Sequence, residues 1–514
     1  MAGFGGGRIG STARDIARAV TGREVSARAV IEEHLDHIGS CNARWNAVVT
    51  VPAEQALAAA DRLDRRLAHG DPVGPLAGVP FTVKDLIATA GVRTTAGSRA
   101  LAGNVPAADA PAVAAMKRAG AILVGKTNTP EFGASGLTHN DLFGYTRNPL
   151  GTEADPRSPG GSSGGEAAAL AAGMSAVGLG TDFGGSVRWP AHCTGLSSIR
   201  PTSGRVSADG QYPGVAAGDR VLANPATVHG VVQTIGPLAR TLDDAALVLR
   251  VVSSRRFRWA DPADVEVDGL DITWAGGEGT VPVEAGIVAA VAETAGGLGA
   301  RRYAGSALAR ANDLFGRLRA TETAADIEAY GAPSDFGANI RAVLAAASER
   351  RSHRDVEELW AQRARLTAAL LDEMGDVLVL PVASITAPPL GLDTFTVDGH
   401  SLTWQDALAC CRAISVTGLP SVVVPVATAA DGLPIGVQVI ARPWQEHVAL
   451  AVAHRVRRTS TTDHHTRRLR DARHPDGTHG VVRPGRSVRA RDGRAHVEVV
   501  TTHARRGDGG VRGR

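Results

Sequence analysis

The sequence predicts an α/β architecture, on three observations. Segments of helical and of strand pattern alternate from the N-terminal region through Val232, the order of elements that layers helices on a sheet. The strand segments are short, continuous apolar runs such as Val79–Val83 and Ala121–Val124, which read as buried strands. The composition, 44% apolar and 21% charged, is that of an ordinary soluble globular chain. Its 514 residues would by length alone allow about three domains of ~150 residues.

Taken in order, Ser11 or Thr12 offers an N-cap for a helix over STARDIARAV. In SARAVIEEHLDHI, residues Ala27, Val30, Ile31, Leu35 and Ile38 fall on one helical face. The run AEQALAAADRLDRRLAHG predicts a third helix that stops at Gly70. GPLAGVPFTVKD turns into the strand Val79–Val83, which ends in Lys84 and Asp85. DAPAVAAMKRAGAILVGKTN predicts a helix, a break at Gly120 and the strand Ala121–Val124. From about Ser254 to Met374 the pattern is helical and carries no recognisable chemistry. DVLVLPVA, SVVVPVA and LPIGVQVIA are three more buried strands, and EHVALAVAHRVRR is the last amphipathic helix. After Arg458 apolar periodicity is lost. Residues 459–514 hold 13 arginines against 6 acidic residues, and 6 of the 16 histidines. That composition predicts a disordered basic tail in preference to a metal-binding or nucleic-acid arm.

Charge and cysteines exclude several classes. The formal net charge of +3 combines +7 in the tail with −4 elsewhere, so the body offers no surface for nucleic acid. Cys41, Cys193, Cys410 and Cys411 lack the paired spacing of a disulfide framework or a zinc site, which predicts a reducing, cytoplasmic setting and no metal. The N-terminus MAGFGGGRIGSTARDIARAV has no basic region followed by an apolar run, so no signal peptide is expected. The uncharged stretch Ala167–Thr181 has 15 residues and is broken by glycine, too short to span a membrane.

Three glycine-rich motifs compete for the chemistry. GAILVGKT, Gly120–Thr127, spells a phosphate-binding loop. Such a loop needs its middle residues to curl amides around phosphate, and here those residues are the strand Ala-Ile-Leu-Val. GGSSG, Gly160–Gly164, spells a nucleophile elbow centred on Ser162. The elbow follows a buried strand, whereas GTEADPRSP precedes it here. GLGTDFGGSVRWP, Gly178–Pro190, places two glycines before Ser186, so successive amides can converge on one point, as a tight turn or as a nest for an oxyanion. In SPGGSSGGEAAALAAG two adjacent serines sit among glycines, and no histidine lies between Asn140 and Ala191 to take a proton.

The segments GPLAGVPFTVKD, GKTNTPEFG, RSPGGSSGGEAAALAAG, GLGTDFGGSVRWPAHCTGLSSIRPT and TGLPSVVVPVATAADGLPIGVQVIARPWQE resemble the amidase signature family in order, spacing and residue type. The resemblance covers roughly Ser11–Arg457 and is tightest over Gly74–Pro201. It implies a single domain over residues 1–458, built on a large mixed, mostly parallel sheet flanked by helices on both faces. It also implies a Ser-Ser-Lys proton relay without histidine. Ser186 would be the nucleophile, Ser162 the bridge in a cis peptide linkage, and Lys84 the general base. The amides of Phe183, Gly184, Gly185 and Ser186 would form the oxyanion hole, with Asp182 and Arg188 shaping the loop and Ser163 a bystander. No cofactor is implied.

From below the chemistry is coherent: a serine hydroxyl needs a base, and a lysine serves as one only when burial depresses its pKa from about 10.4. The function expected is hydrolysis of a small-molecule carboxamide through an acyl-serine, with no nucleic acid or membrane partner and a homodimer left open. The alternative is the glutamine-hydrolysing A component of a tRNA-dependent amidotransferase, although DFGANIRAVLAAASERRSHRDVEELWAQRARL lacks the tyrosine-rich helix typical of such proteins. An esterase using Ser162 and a non-catalytic scaffold stand behind these. The family draws pocket walls from the variable middle region and from loops near Phe132–Asn140, and His139, His192 and Cys193 are candidates either to border the pocket or simply to pack.

Overall fold

The computed structural model describes residues 8–277, 281–321, 325–347 and 352–459. One mixed sheet of eleven strands runs through them. In chain order these are β1 (Val48–Thr50), β2 (Pro80–Lys84), β3 (Ile122–Thr127), β4 (Val177–Asp182), β5 (Ser197–Arg200), β6 (Thr234–Ala239), β7 (Ile272–Trp274), β8 (Arg301–Arg302), β9 (Val377–Pro381), β10 (Ser421–Thr428) and β11 (Pro434–Ala441). Across the sheet they lie in the order β1-β3-β2-β4-β6-β5-β10-β11-β9-β7-β8. Strands β2 to β6, β9 and β11 are buried at every residue. Both faces are therefore covered, and this is why their sequences are continuous rather than alternating apolar runs.

The sheet is mixed, but parallel pairing is less prevalent than expected. It is confined to two blocks, β3-β2-β4 and β9-β7-β8, and the other six neighbouring pairs are antiparallel. The connection from Thr428 to Pro434 is too short to cross the sheet, so β10 and β11 close as a hairpin. The parallel pairs β2-β3 and β2-β4 are each reached through a long crossover containing a helix, Pro111–Arg118 or Gly164–Ala171.

The N-terminal helices form where caps and periodicity place them. Thr12 accepts the Asp15 amide to cap Ala13–Thr21, and Ser26 caps Ala27–Trp45, which buries Ala27, Val30, Ile31 and Ile38. Ala53–His69 ends at Gly70, whose φ of +78° suits a residue without a Cβ. Two strands of the sheet, β7 and β8, fall in the region read as helical. With three and two residues they are too short for periodicity to register. The run spelling a phosphate loop is strand throughout Ile122–Thr127.

All four cysteines are free thiols. Among the described residues no helix is long and apolar enough to cross a membrane. The last helix, Glu446–Thr459, buries Val448, Ala449, Leu450, Val452, Ala453 and Val456 in the main core. The tail expected after it lies outside the described residues. Because this helix closes the core over the sheet, a chain ended at Thr459 should express as soluble protein with the melting temperature of the full chain. Aggregation or a lowered melting temperature would make the remaining residues part of the fold.

Candidate active site

Strand β2 delivers Lys84 into the interior, where its side chain is fully buried. Its Nζ is hydrogen-bonded to Ser162 Oγ at 2.6 Å and to Thr181 Oγ1 at 2.9 Å. Burial strips the water that would solvate an ammonium and pulls this amine well below its ordinary value, against the opposing pull of Asp182 and Glu166. The shift favours the free base, the form that accepts a proton.

The peptide bond between Gly161 and Ser162 is cis. Gly161 lies against the backbone of Gly136 and Leu137, and Thr138 Oγ1 donates to Gly160 O and accepts from Gly164 N. The segment is thus held from both sides before the helix Gly164–Ala171 begins. Gly133, at φ +70°, is where a Cβ would stand 2.8 Å from Leu86 Cδ1 and 3.2 Å from Ser162 Oγ. Ser163 points elsewhere: its hydroxyl bonds both backbone groups of Thr181 at 3.3 Å, and its amide donates to Ser186 O at 3.1 Å. It ties the helix start to β4 and to the Ser186 loop.

That loop is organised by Asp182, the last residue of β4. Its carboxylate accepts the amides of Gly185 at 2.9 Å, Val187 at 3.2 Å and Arg188 at 3.4 Å. It also accepts Nε and Nη2 of Arg188, each at 3.0 Å. Both side chains are fully buried. Burial alone would push this carboxyl up, but the Arg188 guanidinium, then Arg200, hold it well below the usual carboxylate range. Arg188 reaches on to Gln438 Oε1 at 2.9 Å and Ser415 Oγ at 2.6 Å, linking the loop to β11 and to the helix Ala409–Thr417. Gly185 has φ +124°, and a Cβ there would stand 2.7 Å from Cys411 Cβ.

This geometry corrects one assignment. An amide carries one hydrogen, and that of Gly185 is committed to Asp182, so it shapes the loop. Phe183, Gly184 and Ser186 remain as candidate oxyanion donors.

Ser162, Thr181 and Ser186 line one cavity of about 300 Å³. Its walls are mainly apolar: Leu86, Phe132, Phe183, Pro213, Ile327 and Val343. Polar side chains enter from His229, Gln233, Arg319 and Asp326. Burial, with Arg319 adding repulsion, pulls His229 down to about 4, so its imidazole is neutral. Among the described residues no hydrogen bond joins the hydroxyls of Ser162 and Ser186, and no group of three or more His, Cys, Asp or Glu could hold a metal ion.

The structure thus brings Lys84, Ser162 and Ser186 to one place, with the Lys84 amine beneath the cavity floor. His139, His192 and Cys193 stay away from it. His139 packs on Tyr145 with ring centroids 3.9 Å apart; His192 bonds Gly436 N at 3.0 Å and Ile385 O at 3.1 Å; Cys193 is buried. Sequence reasoning missed Thr181, the second partner of the lysine, although it lies two residues before Phe183 in the GLGTDFGGSVRWP motif. It also missed Arg319 and Asp326, which sit in helices with no local signature.

A family model described as Amidase matches residues 29–295 and 300–450. The chain is 34% identical over 459 residues to an indoleacetamide hydrolase of Bradyrhizobium diazoefficiens, covering 86% of this chain and 85% of that one. It is 33% identical over 488 residues to the A component of the glutamyl-tRNA(Gln) amidotransferase of Carboxydothermus hydrogenoformans, covering 86% and 96%. Among solved structures, a bacterial aryl acylamidase of the amidase signature enzymes superposes with a TM-score of 0.76 at 27% identity, covering 89% of this chain and 98% of that one.

The Asp182–Arg188 pair is open to a direct test. Arg188→Met leaves a buried carboxylate without its main counter-charge and should cost about 3–5 kcal/mol of stability by chemical denaturation. The double variant Asp182→Asn/Arg188→Met should cost less than the sum of the single changes, because the interaction between the two side chains is then lost once rather than counted twice. Additive losses would show that the two side chains act independently.

Proposed function

The chain belongs to the amidase signature family and is an amide hydrolase, and on that premise we propose that it cleaves a small, largely apolar carboxamide through an acyl group on Ser186, with Ser162 passing the proton to Lys84. The observation that carries this reading is the 2.6 Å hydrogen bond between buried Lys84 Nζ and Ser162 Oγ, at the floor of a cavity that Ser186 also lines.

In the first half-reaction Ser186 Oγ attacks the carboxamide carbon. Its proton moves to Ser162 Oγ as the Ser162 proton moves to Lys84 Nζ. The carbonyl π electrons go to oxygen, where the amides of Phe183, Gly184 and Ser186 stabilise the developing charge. Collapse breaks the C–N bond, and the nitrogen leaves with the proton returned along the same path. Water then repeats the sequence on the acyl-serine and releases the carboxylic acid. Lys84 must be uncharged at the start, and its burial among hydroxyl partners favours that.

The apolar walls with Phe132 and Phe183 suit an aryl or arylalkyl group, in keeping with the relatives named for indoleacetamide and aryl acylamide hydrolysis. The second reading, the A component of an amidotransferase, draws on the 33% identity to such a protein. Ammonia release from indole-3-acetamide or phenylacetamide by the isolated chain supports the hydrolase. Release from glutamine only with a co-purifying partner would replace it.

Ser186→Ala should abolish acyl-enzyme formation, whereas Ser162→Ala should leave slow acylation, since nucleophile and oxyanion donors survive. An acyl group trapped on Ser162 and mapped by mass spectrometry would reverse the assignment.

Activity should rise with pH through a group titrating below the ~10.4 of an exposed lysine, since the base works only after losing its proton. Lys84→Arg keeps the positive charge but cannot deprotonate, and should lower turnover by about 10²–10⁴-fold with the fold retained by circular dichroism. A folded Lys84→Arg enzyme within a few-fold of wild type would remove lysine from the base role.

A further inference from the structure

Glu166 is a fully buried carboxyl next to the reaction centre that the proton relay does not use. It lies in the first turn of the helix Gly164–Ala171. Its Oε1 is hydrogen-bonded to Thr82 Oγ1, and its Oε2 accepts from Thr127 Oγ1 at 2.9 Å. These two threonines bracket the lysine. Thr82 precedes Lys84 by two residues on β2 and so shares its face, while Thr127 on β3 is the residue directly paired with Lys84. Thr82 Oγ1 is also 2.8 Å from Ser175 Oγ. Glu166 further lies over Gly178, the β4 residue paired with Thr82, where any Cβ would collide with the carboxyl. One side chain therefore spans the three strands that hold Lys84 and its partner Thr181.

Proton placement is the second part of the argument. With one proton shared between Glu166 and Lys84, the pair exists as carboxylic acid plus amine or as carboxylate plus ammonium. Only the first leaves Lys84 able to accept a proton. The hydrogen bonds to both groups involve hydroxyls only, with no full counter-charge in contact. Those of Thr82 and Thr127 favour the carboxylate, but both groups are cut off from water, and that larger effect penalises separated charges.

The elements packed against the helix Gly164–Ala171 carry few charged or titratable groups, and beyond them Arg240 donates to Leu170 O and Ser175 O. Lys84 comes from β2 and Lys126 from β3; β4 brings Asp182, bonded to Arg188. The helix Arg188–Thr194 adds His192, which is bonded to backbone, and Cys193. Strands β1 and β6 carry none. Lys126 has its own counter-ion in Asp85 at 3.6 Å. Burial pushes Glu166 up to about 8 and pulls Lys84 down, the same direction as the geometric argument.

We propose that Glu166 is a positioning residue for the lysine base: a neutral carboxylic acid that braces the strands on either side of Lys84 and leaves the amine uncharged. The inference rests on Lys84 being the base.

Phenylmethylsulfonyl fluoride tests it without a known substrate. Ser186 Oγ displaces fluoride from sulfur, an O–S bond replacing the S–F bond, and the serine proton goes to the base. The rate of Ser186 sulfonylation, followed by intact mass against pH, reports on Lys84. Glu166→Ala should slow labelling at least about tenfold at every pH, and Glu166→Gln, an isosteric neutral amide, should restore most of that rate with the acid limb at the wild-type position. The infrared difference between wild type and Glu166→Gln at neutral pH should show the C=O stretch of a protonated carboxyl.

Carboxylate stretches alone, or an acid limb displaced to lower pH in Glu166→Gln, would mean an ionised Glu166 holding Lys84 charged, and would overturn the proposal. So would a folded Glu166→Ala within a few-fold of wild type; if that variant does not fold, Glu166→Gln and the infrared band decide. Labelling of Lys84→Met at the wild-type rate would instead defeat the lysine-base reading, and the proposal with it.

Discussion

The rest of the site depends on the buried pair of Asp182 and Arg188. A carboxylate out of contact with water is tolerated only when its lone pairs are occupied and its charge is matched. Asp182 meets both conditions by drawing the amides of Gly185, Val187 and Arg188 toward one point and closing the circle with the Arg188 guanidinium. The chain between them has no alternative path, so the loop over the cavity takes its shape from an electrostatic requirement. Gly185 can follow because it has no Cβ to meet Cys411. The remaining guanidinium donors bind Gln438 and Ser415, so the C-terminal third of the chain is tied to the same point.

Two buried lysines show how partners divide roles among identical side chains. Lys126 Nζ bonds Ile87 O at 2.5 Å and Thr94 Oγ1 at 2.8 Å, with Asp85 at 3.6 Å. A carbonyl dipole and a carboxylate offset part of its lost hydration, although burial still pulls it down to about 8. Lys84, on the neighbouring strand, bonds only hydroxyls. The first arrangement suits a structural ion pair between β2 and β3, and the second suits a base. This contrast also explains why the phosphate-loop spelling around Lys126 carries no such function: the residues that would curl around phosphate are β3 itself, and the amine faces inward.

The molecule separates a rigid chemical floor from a wall with few sequence constraints. Lys84 and Thr181 sit at the ends of β2 and β4, in the fully buried part of the sheet, with Ser162 just before the helix Gly164–Ala171 and Ser186 in the loop after β4. The opposite wall comes partly from helices in the middle region, through Gly316, Arg319, Ile327 and Val343. Those helices need only an apolar stripe to pack, so their cavity-facing positions are free to follow the substrate.

The sequence by itself determined the α/β class, the N-terminal helices with their caps, the buried strands and the identity of the serine and lysine candidates. Most of those depend on local pattern, such as periodicity, a capping hydroxyl or glycines around a serine, whereas the role of Lys84 is implied by the family resemblance. What only the tertiary structure decided depends on pairing between distant segments. The strands β7 and β8 become visible only against β9, and the balance of parallel and antiparallel neighbours follows from connection lengths across the whole sheet. The amide of Gly185 is lost to the oxyanion set because Asp182 occupies it. Glu166, plain to see in the run GGSSGGEAAALAAG, acquires meaning only when Thr82 and Thr127 from two other strands close on its carboxyl. Burial is the common reason: whether a lysine is a base, a glutamate an acid or an amide a free donor is set by the water removed and the partners supplied. Apart from Asp182 and Gly185, three residues apart, those partners lie tens of residues or more away in the chain, beyond the reach of any local pattern.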